Sequence, residues 1–291
     1  EGEAMRQFTE IQGLSEIKRL PRLGKIRLGI RVKKKAKDDR CKHGAEDTCM
    51  YCTYPKETSY FVVPDEVAKA RDKDKNNKII YGKQPTELDV MLPVNDLAIV
   101  FPQALEYYGM GAGLKCTGNG KTALRMNEDT RIMERRECPC EYLDQGKCTK
   151  RGHLAVILFN VSMGGIYQID TSSFNSIVDI NSSLAYIEGM IGRFAKVALK
   201  LKRNPIETHH DGKRQTHYTM RIELEGDVAF VNKLRKEKKN ILSGPRIQLQ
   251  APVQDVSSYD GETAVEDGNG EPTVAELAAE PEAPPVDPQK H

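Results

Sequence analysis

Apolar and basic residues alternate from Lys25 to Val32 in KIRLGIRV, the two-residue period of a strand with one face toward solvent. SYFVVP (59–64) and ELDVMLP (87–93) predict two further strands, flanking a short helix near Asp65 to Arg71. Ala98 to Tyr108 reads as a helix that begins late, because Pro102 cannot sit in a helix interior. The clearest pattern runs from His153 to Gly192. HLAVILFNV and IYQIDT are two strands around a Met163-Gly164-Gly165 turn. Ser172 or Ser173 can then cap a helix on which Phe174, Ile177, Leu184, Ile187 and Ile191 share one apolar face. KVALKLKR and THYTMRIELE form a second strand pair with basic outward positions, and Asp227 to Lys239 a terminal helix ending in KLRKEKK. Hairpin, helix, hairpin, helix describes an α+β fold, an antiparallel sheet of hairpins with packed helices. Neither a βαβ alternation nor an internal repeat is present.

Charge divides the chain. Positions 1–250 hold 43 basic and 32 acidic residues, a net of +11, whereas positions 251–291 hold ten acidic residues and one lysine. That last segment is rich in Pro, Ala, Gly and Glu and short of large aliphatics, too little to offset its ordering entropy. The expected organisation is one α+β domain over 1–249 and a disordered acidic tail over 250–291. The tail reads as a solubilising segment, or as an acidic arm for a basic surface. No apolar run approaches the ~18 residues of a membrane span, and no secretory leader opens the chain, so a membrane role is not expected.

All seven cysteines precede residue 149, in two groups. The first is CKHGAEDTCMYC, with Cys41, His43, Cys49 and Cys52. The second is ECPCEYLDQGKC, with Cys138, Cys140 and Cys148, for which Cys116 upstream or His153 downstream is the candidate fourth member. Three Cys plus His, and four Cys, are closed tetrahedral sets for structural zinc, whose soft-ligand preference suits thiolates. An odd cysteine count without a secretion signal fits a disulfide framework poorly. Two structural zinc ions are therefore expected, in an insertion over 36–57 and a subregion over 113–153. With four protein ligands each, neither leaves the open position that a catalytic zinc keeps for water.

GLKCTGNGKTALR (113–125) imitates a phosphate-binding loop, but the first glycine of that motif falls on Lys115. The stretch reads instead as a hairpin: Leu114 to Cys116, an Asn119-Gly120 turn, and a return from Lys121 to Arg125. No nucleotide is expected. THHDGKRQTHY, with His209, His210, Asp211 and His217, invites a metal-dependent hydrolase reading, yet it sits on an Asp-Gly turn. No nucleophile-elbow or zinc-protease motif accompanies it, so no catalytic residue is assigned. Basic residues have more to offer. Lys196, Lys200, Lys202, Arg203, Lys213 and Arg214 lie on the second strand pair, where they suit a nucleic-acid backbone. Tyr107, Tyr108, Tyr167 and Tyr218 add flat rings for stacking bases.

RLPRLGKIRLGI, YFVVP, ELDVMLP, GLKCTGNGKTALR, ECPC…GKC, GIYQIDTSSFNSI and GRFAKVALKLKRNP follow one another in an order that resembles a phage and prophage family. That family includes recombination directionality factors of large serine integrases, and its members often carry hydrolase or metal-binding labels. The resemblance spans roughly residues 10 to 240. It implies that Cys116, Cys138, Cys140 and Cys148 form the family's metal-like constellation, and it leaves the first cluster as an insertion. It also implies a non-enzymatic protein of the bacterial host cytoplasm. Such a protein binds the integrase through its coiled-coil extension and favours excision, touching DNA directly or through the integrase. A single-stranded DNA-binding or annealing role in phage replication is the alternative, and a metal-dependent hydrolase the more distant one.

Overall fold

The computed structural model describes residues 18–33, 53–72, 74–109, 113–210 and 213–241. Thirteen strands and five helices follow one another in these residues: β1 (Arg22–Lys33), β2 (Thr53–Val62), α1 (Asp65–Ala68), β3 (Arg71–Asp72), β4 (Lys78–Ile79), β5 (Glu87–Val90), α2 (Leu97–Val100), β6 (Gln103–Gly109), β7 (Gly113–Gly118), β8 (Thr122–Met126), β9 (Met133–Glu137), α3 (Glu141–Asp144), β10 (Thr149–Val156), β11 (Ile166–Thr171), α4 (Phe174–Ile191), β12 (Leu199–His210), β13 (Lys213–Glu223) and α5 (Val228–Ile241). Helix and sheet are both present and sheet dominates. Eight strands make one sheet in the order β2-β1-β11-β10-β6-β7-β8-β9. A second sheet is ordered β13-β12-β5, and β3 with β4 forms a small ribbon.

The large sheet is mixed rather than antiparallel throughout. β1 runs parallel to β11, with Ile26 beside Ile169, while every other neighbouring pair is antiparallel. Hairpin signals report only strands adjacent in sequence. β1 and β11 are far apart in the chain, so no local pattern announces their pairing.

The expected helix over Ala98 to Tyr108 is also corrected. Only one turn forms, α2, where the Asp96 carboxylate accepts from the Ala98 N–H at 3.0 Å. Pro102 offers no N–H and pushes Phe101 out of helical backbone, to φ −145° and ψ 63°. The chain continues as β6, which pairs with β10 on one side and β7 on the other. β6 is thus a central strand, and its alternating side chains divide between two faces.

α4 begins where the pattern placed it. The Ser173 hydroxyl accepts from the Ser176 N–H at 3.3 Å, and Gly192, at φ 74°, closes the helix in the left-handed conformation. Ile180, Leu184, Ile187 and Ile191 are buried from this helix. They join Leu154 and Val156 of β10, Ile169 of β11, Leu199 and Leu201 of β12, and Met220 and Ile222 of β13 in one core. The Ser176 hydroxyl also accepts from the Met220 N–H at 3.1 Å, fastening α4 to the smaller sheet. The two sheets meet again where Met91 and Ile157 exchange both backbone hydrogen bonds, at 2.9 and 2.8 Å.

Candidate metal centre

Strands β6 to β9 and helix α3 form an outlying part of the large sheet. The β7–β8 turn is set by Asn119, whose side-chain oxygen accepts from the N–H groups of Lys121 (2.9 Å) and Thr122 (2.8 Å). Gly120 supplies the positive φ, at 86°. Across the strands, Tyr107, Cys116 and Arg125 stand opposite one another and so point to one face. After β9, the Cys138 N–H donates to the Lys121 carbonyl at 3.1 Å, which turns the chain over that face. Cys140 then leads into α3, and the N–H groups of Lys147 and Cys148 both donate to the Tyr142 carbonyl, at 2.9 and 3.0 Å. The fold-back delivers Cys148 to the start of β10.

Cys116, Cys138, Cys140 and Cys148 consequently line a single pocket, walled by Tyr107 and Tyr142. All four are free thiols. The floor is close: a β-carbon on Gly118 would lie 2.9 Å from the Cys138 sulfur, so only glycine leaves that sulfur its place. Burial, and next the negative charge of the other three sulfurs, push the Cys148 thiol up to about 12. Arg125 supplies the opposing charge. Its Nη2 donates to the Cys140 sulfur at 2.7 Å, Nη1 reaches Glu141 at 3.4 Å, and the guanidinium lies 4.2 Å from the Tyr142 ring centre.

Among the described residues, no group of three or more His, Cys, Asp or Glu is arranged to hold a metal ion as it stands. The chemistry of the pocket still fits zinc, since four cysteine sulfurs are one of its closed donor sets and Gly118 leaves the Cys138 sulfur its room. His153 is not among the lining residues. Its ring is spent elsewhere, with Nδ1 2.7 Å from an Asp170 oxygen and Nε2 3.0 Å from a Glu106 oxygen. The first cluster, Cys41, His43, Cys49 and Cys52, lies outside the described residues.

A model of the Gp3-like family, described as recombination directionality factor-like, matches residues 23–225. The chain belongs to this family. No curated protein and no solved structure matches the chain. The Gp3-like match takes in both sheets, α4 and all four cysteines of the pocket.

The basic residues expected to face nucleic acid are divided in this Gp3-like fold. Arg203 is a buried arginine and a correction to that expectation. Its side chain has no exposed surface, because it sits on the Leu199–Leu201 side of β12 and spends its donors inside the fold. Lys200 pairs with Asp89 at 2.7 Å, and Lys202 with Glu223 and Glu225 at 2.8 and 3.3 Å, so their charge is met within the smaller sheet. Arg214 pairs with Glu207, and Lys196 is exposed in the turn before β12. The Lys213 side chain and those of His209 and His210 lie outside the description, as does the 211–212 turn. His217 sits on β13, 3.9 Å from a Glu57 oxygen. Of the four tyrosines, Tyr167 is buried in the core, Tyr107 packs edge-on against Tyr142, and the Tyr108 hydroxyl donates to Glu106 at 2.8 Å.

One constellation was not foreseen. On the face of the large sheet opposite Leu154 and Val156, His153 is bracketed by Glu106 and Asp170. Lys25 reaches Asp170 at 2.8 Å, Arg151 approaches Glu106 at 3.9 Å, and the Gln168 amide donates to Asp170 at 2.7 Å. Glu106 is fully buried and His153 nearly so. Burial works against the charged ring, but the hydrogen bonds and charges of Asp170 and Glu106 outweigh it and lift the imidazole to about 9. Asp170 is held well below the usual carboxylate range: burial opposes this, and His153 and then Lys25 overcome it.

Proposed function

We propose that the chain is a recombination directionality factor that binds a large serine integrase and shifts it from integration toward excision. The observation that carries this reading is the family match over residues 23–225. In this role the protein contributes binding energy to one arrangement of a synaptic complex, and the phosphodiester chemistry stays with the integrase. A second-strand-pair platform for single-stranded DNA is a weaker reading, because Arg203 is buried and Lys200 and Lys202 already face carboxylates. Among the described residues no helix is long and apolar enough to cross a membrane. The proposed place of action is the cytoplasm of a bacterial host.

The test is an integrase recombination assay with an excision substrate, run with and without the protein, beside a band shift lacking integrase. Excision is expected to depend on the protein. An unchanged direction of recombination would overturn the proposal, and a shift of single-stranded DNA without integrase would favour the alternative.

Zinc completes this reading as a structural staple in two sites. The four thiols gathered in one pocket support the second of them, where Cys116, Cys138, Cys140 and Cys148 would turn onto a common point. The first cluster, Cys41, His43, Cys49 and Cys52, rests on its spacing alone. Metal analysis of the reduced full chain is expected to find two zinc ions, with one lost in the Cys138→Ser, Cys140→Ser variant. Less than one zinc per chain would sink the claim.

A further inference from the structure

The geometry points to Arg125 as the positioning residue of the cysteine centre, its guanidinium orienting the Cys140 sulfur and offsetting the negative charge that a metal bound by four sulfurs would leave in the pocket. This rests on the zinc reading above and goes beyond it, because nothing in the ligand set itself requires an arginine.

Three observations converge. First, β-sheet register puts Arg125 directly opposite Cys116, so its side chain is aimed into the pocket from the strand itself. Second, the guanidinium is immobilised there. It lies over the Tyr142 ring, whose other contacts are the edge of Tyr107 at 5.3 Å and the Lys147 ammonium at 5.0 Å, and Nη2 points at the Cys140 sulfur. Third, among the described residues Glu141 is the one carboxylate that pairs with Arg125, at 3.4 Å, and it is mostly exposed, while the buried Nε of Arg125 has no hydrogen-bond partner.

A buried guanidinium donor without a partner is costly, and neutral thiols are weak acceptors that recover little of that cost. Four thiolates around a divalent cation carry a net charge of two minus. Beside such a centre the same arginine becomes favourable, donating charge-assisted bonds to sulfur and offsetting half of the excess. The arrangement makes sense as the surroundings of an anionic centre and poor sense as the lining of four neutral thiols. Lysine would retain the charge but not the stacked, two-directional fork, so it serves as a partial substitute.

The test uses the full chain carrying Cys49→Ser and Cys52→Ser, so that only the second site takes up metal. Cobalt is titrated and followed by its thiolate charge-transfer absorption, and zinc affinity is then measured by competition with a chelator. Arg125→Gln and Arg125→Met are expected to weaken zinc by roughly 10- to 100-fold, the usual range for residues that support metal ligands. Arg125→Lys is expected to recover most of the loss. Arg135→Gln, an exposed arginine opposite Leu124 on the other face, should leave affinity unchanged. The cobalt spectrum, which reports the sulfur ligands directly, identifies a variant whose site has failed to form. Wild-type affinity in Arg125→Gln or Arg125→Met would overturn the proposal and leave the zinc reading intact. Equal loss in the Lys, Gln and Met variants would also overturn it, since charge would then not be what matters. A parent chain that takes up no cobalt would fell the zinc reading and this inference together.

Discussion

Replacing His153 with leucine is expected to cost the chain about 3–5 kcal/mol near pH 6, because it strips the shared partner from two buried carboxylates. Glu106 and Asp170 lie on either side of the ring, on β6 and β11, and both lose a hydrogen bond to the same substitution. Lys25 continues to serve Asp170, and Tyr108 and Arg151 continue to serve Glu106, so what both carboxylates lose is the imidazolium between them. The pH dependence separates this account from simple loss of packing. The folded-state imidazole titrates near 9, above its ordinary value near 6.5. Its charge therefore adds stability that is complete below about pH 6.5 and lost as pH rises through about 9, an effect of order 3 kcal/mol. Asp170 has the opposite sign: its depressed value adds stability that disappears as pH falls through its folded-state titration. Both shifts share the His153–Asp170 interaction and are not added. Urea midpoints of wild type and His153→Leu should thus differ most near pH 6 and draw together by pH 10. A penalty below about 1 kcal/mol, or one that does not change with pH, would show that the ring is only a packed side chain. His153→Asn, which keeps one donor, should fall between the two.

The same residues mark the boundary of what the sequence discloses. Local signals were readable: Asn119-Gly120 for the β7–β8 turn, Ser173 and the Leu184-Ile187-Ile191 spacing for α4, and the Asp65 turn. Spacing also brought Cys138, Cys140 and Cys148 together, since a short chain segment holds them all. The choice between Cys116 and His153 was not local. It depends on β7 lying beside β6 and on β10 lying between β6 and β11, pairings that no neighbouring residue encodes. Strand alternation puts His153 and Asp170 on the side opposite Leu154 and Ile169, where polar residues are ordinarily solvated, and Glu106, read as part of a helix, was not placed with them. Their burial comes from strands distant in sequence placing them side by side. β6 misled for a different reason, since ALEYY satisfies helical and strand spacing alike until Pro102 is given its full weight. Arg203 had a legible warning. Leu199, Leu201 and Arg203 share one face of β12 by simple alternation, and that is the buried face.

That misplaced arginine has the second large expected effect: Arg203→Met should destabilise the chain by about 3–5 kcal/mol and leave nucleic-acid contacts untouched. From β12, its guanidinium donates to the carbonyls of Tyr218 (2.9 Å) and Thr58 (2.7 Å) and pairs with Glu57 at 2.8 Å. It also reaches the Leu28 carbonyl at 3.4 Å, so one side chain joins the smaller sheet to β1 and β2 of the larger one. Methionine fills comparable volume but supplies none of these donors, and the acceptors are left desolvated. Lysine, a point charge with a single head, cannot reach strands on two sheets at once and should recover only part of the loss. Glu57 provides the internal check. Burial already raises its titration, and Arg203 is the largest of the influences pulling it back down. Without Arg203 the carboxyl should hold its proton to higher pH. A group whose folded-state value is raised gains stability as pH falls through it, so the deficit of Arg203→Met should shrink on acidification. Chemical denaturation at pH 5 and pH 8 measures that difference. An equal deficit at both values would place the cost in the three carbonyls and not in the ion pair. A negligible deficit at both would mean that Arg203 does not join the sheets.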